Sequence, residues 1–330
     1  MKKVCLTGIK PTGNPHLGNY LGAIRPAIRM AQSGEFAGYY FIADYHSLTA
    51  VHNGKELSQY IYEVAATWMA FGLDPKQVVL YQQSHIPEVM ELHWILSCFT
   101  AKGHMNRAHA YKAMVQENEN SGRDPDLGVN IGLYTYPVLM SADILLLQSD
   151  VVPVGPDQLQ HLEIAREIAQ SFNFVYGDLL KLPKALEQNV PLIPGLDGRK
   201  MSKSYQNTIP LFANEKDLRK LLNKIKTDSL PPEAPKNPDE SLIFTLYKFF
   251  ATPYEIENLK AWYLRGIGWG DAKAQLFEVI NRELQLPRQR YQELISNRSE
   301  IDRILNEGAE RVRSKAQDLL KKIKKTIGVI

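Results

Sequence analysis

"KVCLTGIKPTGNPHLGNYLGA", residues 3–23, joins a β-branched run to a Gly/Pro loop and then to a helical pattern. Residues 3–7 (KVCLT) read as a short strand ended by Gly8, and Pro11, Gly13 and Pro15 make the following stretch a loop. From Gly18 the spacing of Tyr20, Leu21, Ile24 and Ile28 predicts a helix with one apolar face. A strand, a glycine loop and a helix in this order turn free N–H groups and a positive dipole end toward an anion, so the unit predicts a phosphate site. Its spacing fits neither the dinucleotide-binding fingerprint nor a Walker P-loop. His16 and Asn19, at the first helical turn, can serve such a site as donors or can simply cap the helix. Gly18 would let a nucleotide ring lie against bare backbone.

The alternation continues downstream. Residues 39–43 (YYFIA) and 78–82 (VVLYQ) predict two more buried strands, and 56–71 a helix built on Leu57, Ile61, Val64, Ala65 and Trp68. Strands separated by helices argue for a Rossmann-like α/β fold with a parallel sheet wound right-handedly. Residues 118–125 (NENSGRDP) are a polar break, and 134–147 and 158–170 read as helices. Beyond Asn207 strand signals thin out: 218–225, 242–250, 272–284 and 301–323 predict helices, with a proline-rich loop at 231–239. The expected organisation is an α/β nucleotide-binding domain over 1–205 followed by a mostly helical region over 206–330.

Composition narrows the function classes. The chain of 330 residues is 44% hydrophobic and 23% charged, ordinary globular material with room for two cores. A formal net charge of only +3 provides no global cationic field, so a polyanion must be met by local clusters, and no DNA-binding role is expected. Cys5 and Cys98 are the only cysteines, which excludes a disulfide framework or a cysteine-rich metal site and fits a reducing compartment. The N-terminus lacks a signal-peptide core, and no uncharged apolar run reaches the roughly 18 residues of a membrane span. A cytoplasmic protein with no membrane partner is expected. His104 and His109 have no carboxylate or third ligand at useful spacing, so no metal site is expected there.

A second stretch, "DGRKMSKSYQNT" at 197–208, places Lys200 and Lys203 three residues apart on a small-residue loop led by Gly195 and Gly198. Such a charge run is often a solvated surface. It also suits a polyphosphate whose charge shifts during reaction, because two flexible point charges on a mobile loop can close over it. Ser202 and Ser204 add small hydroxyl donors, and Arg199 extends the positive patch.

Taken together, HLGN at 16–19 and KMSKS at 200–204 resemble the paired HIGH and KMSKS signatures of class I aminoacyl-tRNA synthetases. They stand in the expected order, the first after the first strand and the second after the α/β half. The resemblance implies a two-step ligase that uses ATP with Mg2+, without a protein nucleophile; His16, Asn19, Lys200 and Lys203 would stabilise the transition state. It further implies ATP contacts from Lys10, Pro11 and Thr12 under the phosphates, from Gly18 and Asn19, from Gly155, Pro156 and Asp157 at the ribose, and from Lys200, Met201, Ser202, Lys203 and Ser204 on the loop.

The size of the chain is similar to the tryptophan- and tyrosine-specific members. In "YPVLMSADILL" (136–146) Tyr136, Met140 and Asp143 share one helical face. Buried between Ala142 and Ile144, Asp143 needs a partner, either an indole N–H or a backbone group or arginine of the protein itself. Met140 offers a polarisable wall to a flat ring. Tyrosine enzymes resemble Y-x3-Q-x2-D here and bacterial tryptophan enzymes Y-x3-M-x2-D, the pattern of this chain. "VPVGPDQLQHLEIAREIA" (152–169) resembles the tryptophan branch as well, which implies L-tryptophan and tRNA(Trp) as substrates and a homodimer spanned by tRNA. The remaining alternatives are a tyrosine-specific enzyme, a small-molecule adenylating enzyme such as pantothenate synthetase, and an inactive synthetase-like RNA-binding protein.

By the same resemblance His46, of Asp44-Tyr45-His46, lines the amino-acid pocket and Gln158 stands near the substrate ammonium. The chain departs from the family in three places. Pro156 replaces an acidic residue of the ribose turn, Leu6 replaces an aromatic wall, and Lys112 is followed by Met114 where relatives carry a second lysine. Lys112 is open to a phosphate role or to a plain surface role. The last helix, "RVRSKAQDLLKKIKK" (311–325), is expected to bury Val312, Ala316, Leu319, Leu320 and Ile323 and to turn Arg313, Lys321, Lys322 and Lys325 outward, toward solvent or a tRNA backbone.

Overall fold

A computed structural model describes residues 2–187 and 192–330; the side chain of Asp157 lies outside the described residues. Five parallel strands form one sheet: β1 (Lys3–Ile9), β2 (Phe36–Ile42), β3 (Val79–Gln82), β4 (Val151–Val154) and β5 (Lys184–Glu187), in the order β3-β2-β1-β4-β5. The three strands read from sequence are β1, β2 and β3, within a few residues. The other two are additions. β4 (VVPV) carries Pro153, which weakens a strand signal, and β5 (KALE) is an edge strand of helix-favouring residues, three of them exposed. Strand order reverses between β1 and β4, so a crevice opens there beyond the strands' carboxyl ends.

Helices connect the strands on both faces. The helix after the first loop is not uniform. Leu17–Asn19 is α-helical, Tyr20–Ile24 is a π turn, and Arg25–Ser33 is α-helical again. Pro26 has no N–H and its ring crowds the carbonyl four residues back; the wider π turn relieves that clash within the phosphate-site helix. Helix Gly54–Ala70 joins β2 to β3, helices Glu88–Ser97, Lys102–Asn106, His109–Asn120 and Ile131–Leu146 join β3 to β4, and Leu159–Tyr176 joins β4 to β5.

Alternation along β2 divides the core into two layers. Tyr40 and Ile42 face one, with Trp68 and the buried residues of helix Trp269–Ser296; Phe41 faces the other, with Leu6, Tyr81, Leu145 and Ile168. Helices Glu215–Asn223, Leu242–Tyr247, Pro253–Arg265 and Trp269–Ser296 gather on the first side. Pro253–Arg265 was not anticipated, although Thr252-Pro253 and Glu255 form a capping box with proline at the first helical position.

The final helix, Arg298–Thr326, returns to the sheet. Ile301, Ile304 and Leu305 enter the first layer, and Ala309 through Ile323 the second. Its expected stripe is buried, but Arg313 does not point freely outward: it pairs with the buried Glu88 carboxylate at 3.1 Å. Lys324 pairs with Glu91 at 3.0 Å, while Lys321, Lys322 and Lys325 are exposed. No helix among the described residues is long and apolar enough to cross a membrane.

Candidate functional site

Two large cavities meet at the β1/β4 reversal. One, of about 470 Å³, lies between the ends of β1 and β4 and helix Ile131–Leu146. The other, of about 730 Å³, lies between the first glycine loop, β4 and the lysine loop. Thr7, Gly8, Pro153, Val154 and Gln158 line both, so a ligand in one can reach a ligand in the other.

The smaller cavity brings together Leu6, His46, Tyr136, Met140, Asp143 and Gln158, all six residues singled out for the amino acid. Asp143 is 2% exposed and is not waiting for a ligand to supply its first partner. Gln83 Nε2 donates to both of its oxygens at 2.8 and 2.9 Å, and His46 Nε2 lies 2.9 Å from Oδ2. Neither of the protein partners considered from sequence, a backbone group or an arginine, is among these bonds. Burial raises the Asp143 pKa, His46 and Gln83 act against that rise, and nearby Asp44 adds to it. A carboxylate accepts about four hydrogen bonds, so one direction remains for a ligand donor. The Tyr136 hydroxyl lies 2.6 Å from His161 Nε2, which fixes that ring on the cavity wall. Gln83 went unread in the sequence; its signal is position, just beyond the carboxyl end of β3, where α/β sheets place their ligand-binding groups.

The larger cavity is lined by His16, Gly18, Asn19, Gly155, Pro156, Lys200 and Met201, among others. His16 is the N-cap: its Nδ1 accepts from Asn19 N–H at 3.3 Å, and Asn19 Oδ1 accepts from His16 N–H at 3.1 Å. Capping and lining the cavity are therefore the same arrangement. An accepting Nδ1 places the proton of a neutral imidazole on Nε2. Burial, and secondarily the charge of Lys203, lower the His16 pKa to about 4, so the ring is a neutral donor at physiological pH.

The lysine loop is stitched to the first loop. Leu17 N–H donates to Ile209 O at 2.9 Å, Leu211 N–H to Pro15 O at 3.1 Å, and Gly18 N–H to Met201 Sδ at 3.2 Å. Asn207, also unread in the sequence, holds the loop's shape by accepting from Ser202 N–H at 2.8 Å and donating to Asp197 at 2.7 Å and to Lys200 O at 3.1 Å. Met201 is buried as the anchor; Lys200 and Lys203 are left on the rim.

A third, small cavity of about 90 Å³ lies under the loop, lined by Lys10, Thr12, Gly13, Asn19, Thr67, Trp68 and Lys203. Lys203 Nζ donates to Thr12 O at 3.2 Å, and Lys10 Nζ to Thr49 Oγ1 at 2.8 Å. Burial of both ammonium groups lowers their pKa; for Lys203 the carboxylate of Glu63 acts in the opposite sense. Gly13 has φ +114°, and a Cβ there would sit 2.9 Å from Lys203 Nζ, so the lysine lies directly on the loop.

Some expected residues fall elsewhere. Pro11 is buried, offers its carbonyl to Ser47 Oγ at 2.9 Å and lines none of these three cavities. Ser202 and Ser204 bond each other at 2.8 Å and line none of these three cavities. Arg199 does not extend a free positive patch, because Asp197 binds it at 2.6 Å and Tyr205 stacks against it at 4.4 Å. Lys112 is exposed on helix His109–Asn120 and lines none of them. The Asp157 side chain lies outside the described residues. His104 pairs with Glu167 at 2.9 Å, and among the described residues no three His, Cys, Asp or Glu side chains are grouped to hold a metal.

Comparison with known proteins shows the family. The family described as tRNA synthetases class I (W and Y) matches residues 2–285. The tryptophan–tRNA ligase of Neisseria meningitidis is 52% identical over 330 residues, covering 99% of this chain and 98% of that protein. That of Pseudomonas putida is 49% identical over 328 residues, covering 98% of this chain and 73% of the relative. Among solved structures, the tryptophanyl-tRNA synthetase of Campylobacter jejuni complexed with ADP and tryptophan is 41% identical, with a TM-score of 0.90 over 98% of this chain and 99% of that one. On the fold, the meeting cavities and these matches, the chain belongs to the tryptophan and tyrosine family of class I tRNA synthetases.

Proposed function

We propose that the chain activates L-tryptophan with ATP and transfers it to tRNA(Trp) in the cytoplasm. The observation that carries this reading is a buried carboxylate, Asp143, held by Gln83 and His46 on the wall of a cavity that adjoins a nucleotide-sized one. The indole N–H takes the acceptor direction that Asp143 retains. Met140 and Leu6 pack against the ring, Tyr136 and His46 bound it, and Gln158, shared by both cavities, receives the ammonium end. A ligand without a matching donor leaves the carboxylate's remaining acceptor direction buried and unmet, which penalises phenylalanine.

The tryptophan carboxylate attacks the α-phosphorus of ATP; the bond to the β-phosphate oxygen breaks and pyrophosphate leaves. A hydroxyl of the tRNA's terminal adenosine then attacks the acyl carbon and AMP leaves. Positioning and charge stabilisation carry both steps. His16 Nε2–H, Asn19, Lys200 and Lys203 meet the charge that develops on the phosphates, with Lys10, Pro11 and Thr12 forming the floor beneath them. Gly18, Gly155, Pro156, Asp157 and Met201 surround the nucleoside, and Ser202 and Ser204 stiffen the loop. Magnesium arrives with ATP. It would offset phosphate charge there, with few direct protein ligands; among the described residues no three His, Cys, Asp or Glu side chains are grouped to hold it.

Residues 1–205 form the catalytic body in this reading and 206–330 the mostly helical region that meets tRNA, with the last helix fastened to the sheet. A homodimer is supported by the exposed apolar side chains of Met90, Trp94 and Ile131 on the connection between β3 and β4. A cytoplasmic setting is supported by the free thiols of Cys5 and Cys98. The test is charging of tRNA(Trp) with labelled amino acids. Attachment of tryptophan is expected, and attachment of tyrosine to tRNA(Tyr) in its place would contradict the reading.

A further inference from the structure

Glu63 is a buried carboxylate, 8% exposed, on the face of helix Gly54–Ala70 that looks toward the first glycine loop. Its partners are polar but neutral. Gln59 Nε2 donates at 2.9 Å, and the Asn14 amide, turned so that its nitrogen faces the carboxylate, donates at 2.6 and 3.2 Å. No cation lies within ion-pair distance of it among the described residues. Lys203 carries a positive charge within its field: it bonds Thr12 O two residues before Asn14 and lies over Gly13, while Arg298, bonded to Gln59, is a second cation on the other side of the carboxylate's partners. One buried carboxylate thus grips the loop through Asn14 and attracts the lysine resting on that loop.

We infer that Glu63 is a positioning residue that parks the Lys203 ammonium over the 11–15 loop and competes with pyrophosphate for it. The inference rests on the assignment of Lys203 to the phosphates made above. An ion pair at contact distance would hold the lysine too firmly to release it. A hydrogen-bonded loop carbonyl backed by a charge farther away holds it loosely, so a phosphate displaces the contact. When pyrophosphate departs, the carboxylate draws the ammonium back. The geometry gives this chain an internal counter-charge that weakens the grip on the leaving group.

Pyrophosphate binding, measured by titration calorimetry on the full-length protein, tests this directly. Glu63→Gln is nearly isosteric and keeps a side chain able to bond Gln59 and Asn14, so it removes the charge alone. It is expected to bind pyrophosphate about tenfold more tightly than wild type. In a Lys203→Ala background the same substitution is expected to change binding by less than twofold. Glu63→Asp, which retains the charge but withdraws it by one methylene, should give a smaller tightening and serves if Glu63→Gln does not fold. Unchanged affinity with lowered thermal stability would make Glu63 structural only and overturn the inference. Equal tightening with and without Lys203 would overturn it too, since the carboxylate would then act on the anion directly. Tryptophan-dependent exchange by the wild type is run in parallel. Its absence would sink the functional reading while the binding comparison still decides the relation between Glu63 and Lys203.

Discussion

Asp143 is under two opposed demands. Burial penalises its charge, while Gln83 and His46 stabilise it by hydrogen bonds. Asn in its place removes the buried charge but turns one acceptor into a donor. The fold should therefore survive, with a melting temperature close to wild type, while KM for tryptophan in the exchange reaction rises about 100-fold. Loss of the fold in Asp143→Asn would show that the carboxylate serves the core before it serves a ligand. His16 gives a prediction in pH. Its pKa falls from the ordinary 6.5 to about 4 on folding, so the folded chain binds this proton less readily than the unfolded chain. Stability rises with pH across that window: it is complete above pH 6.5 and is lost progressively toward pH 4. His16→Gln should make the decline of melting temperature between pH 6.5 and 4 shallower, whereas an identical slope would place the acid sensitivity elsewhere.

At the scale of elements, the last helix shows how tertiary contacts complete what periodicity begins. Its apolar stripe was plain in the sequence, yet nothing there indicated that it would lie on β3 or that Arg313 would turn inward to Glu88, because both depend on a partner more than 200 residues away. Gly308 marks the crossing: a Cβ there would overlap the Leu80 carbonyl oxygen. Gly308→Ala, stabilising in an isolated helix, should cost about 2–3 kcal/mol here, read as a lower denaturant midpoint with an unchanged slope. A neutral or stabilising result would mean that the helix does not rest on β3. β1, β2 and β3 were legible because β-branched and aromatic runs are bounded by turn residues. β4 and β5 were not, since a short strand with proline and an edge strand of Lys, Ala, Leu and Glu owe their form to neighbours.

For the molecule as a whole, the site was more legible than the architecture around it. All six residues read for the amino acid line one cavity: Tyr136, Met140 and Asp143 stood out on one face of an apolar helix, while Leu6, His46 and Gln158 were read from the resemblance. The residues that support them, Gln83 behind Asp143 and Asn207 behind the lysine loop, look like ordinary polar residues until the fold sets them against a partner. Pro11 was read from the resemblance, Ser202 and Ser204 also as hydroxyl donors and Arg199 as part of a positive patch, and it is their backbone or their neighbours that the structure uses.

The central claim is that the two adjoining cavities hold tryptophan and ATP for one reaction. ATP–pyrophosphate exchange by the wild-type protein, with tryptophan, tyrosine and phenylalanine supplied separately, addresses it most directly. Exchange with tryptophan alone is the predicted result. Exchange that favours tyrosine, or no exchange with any of the three from folded protein, would contradict it.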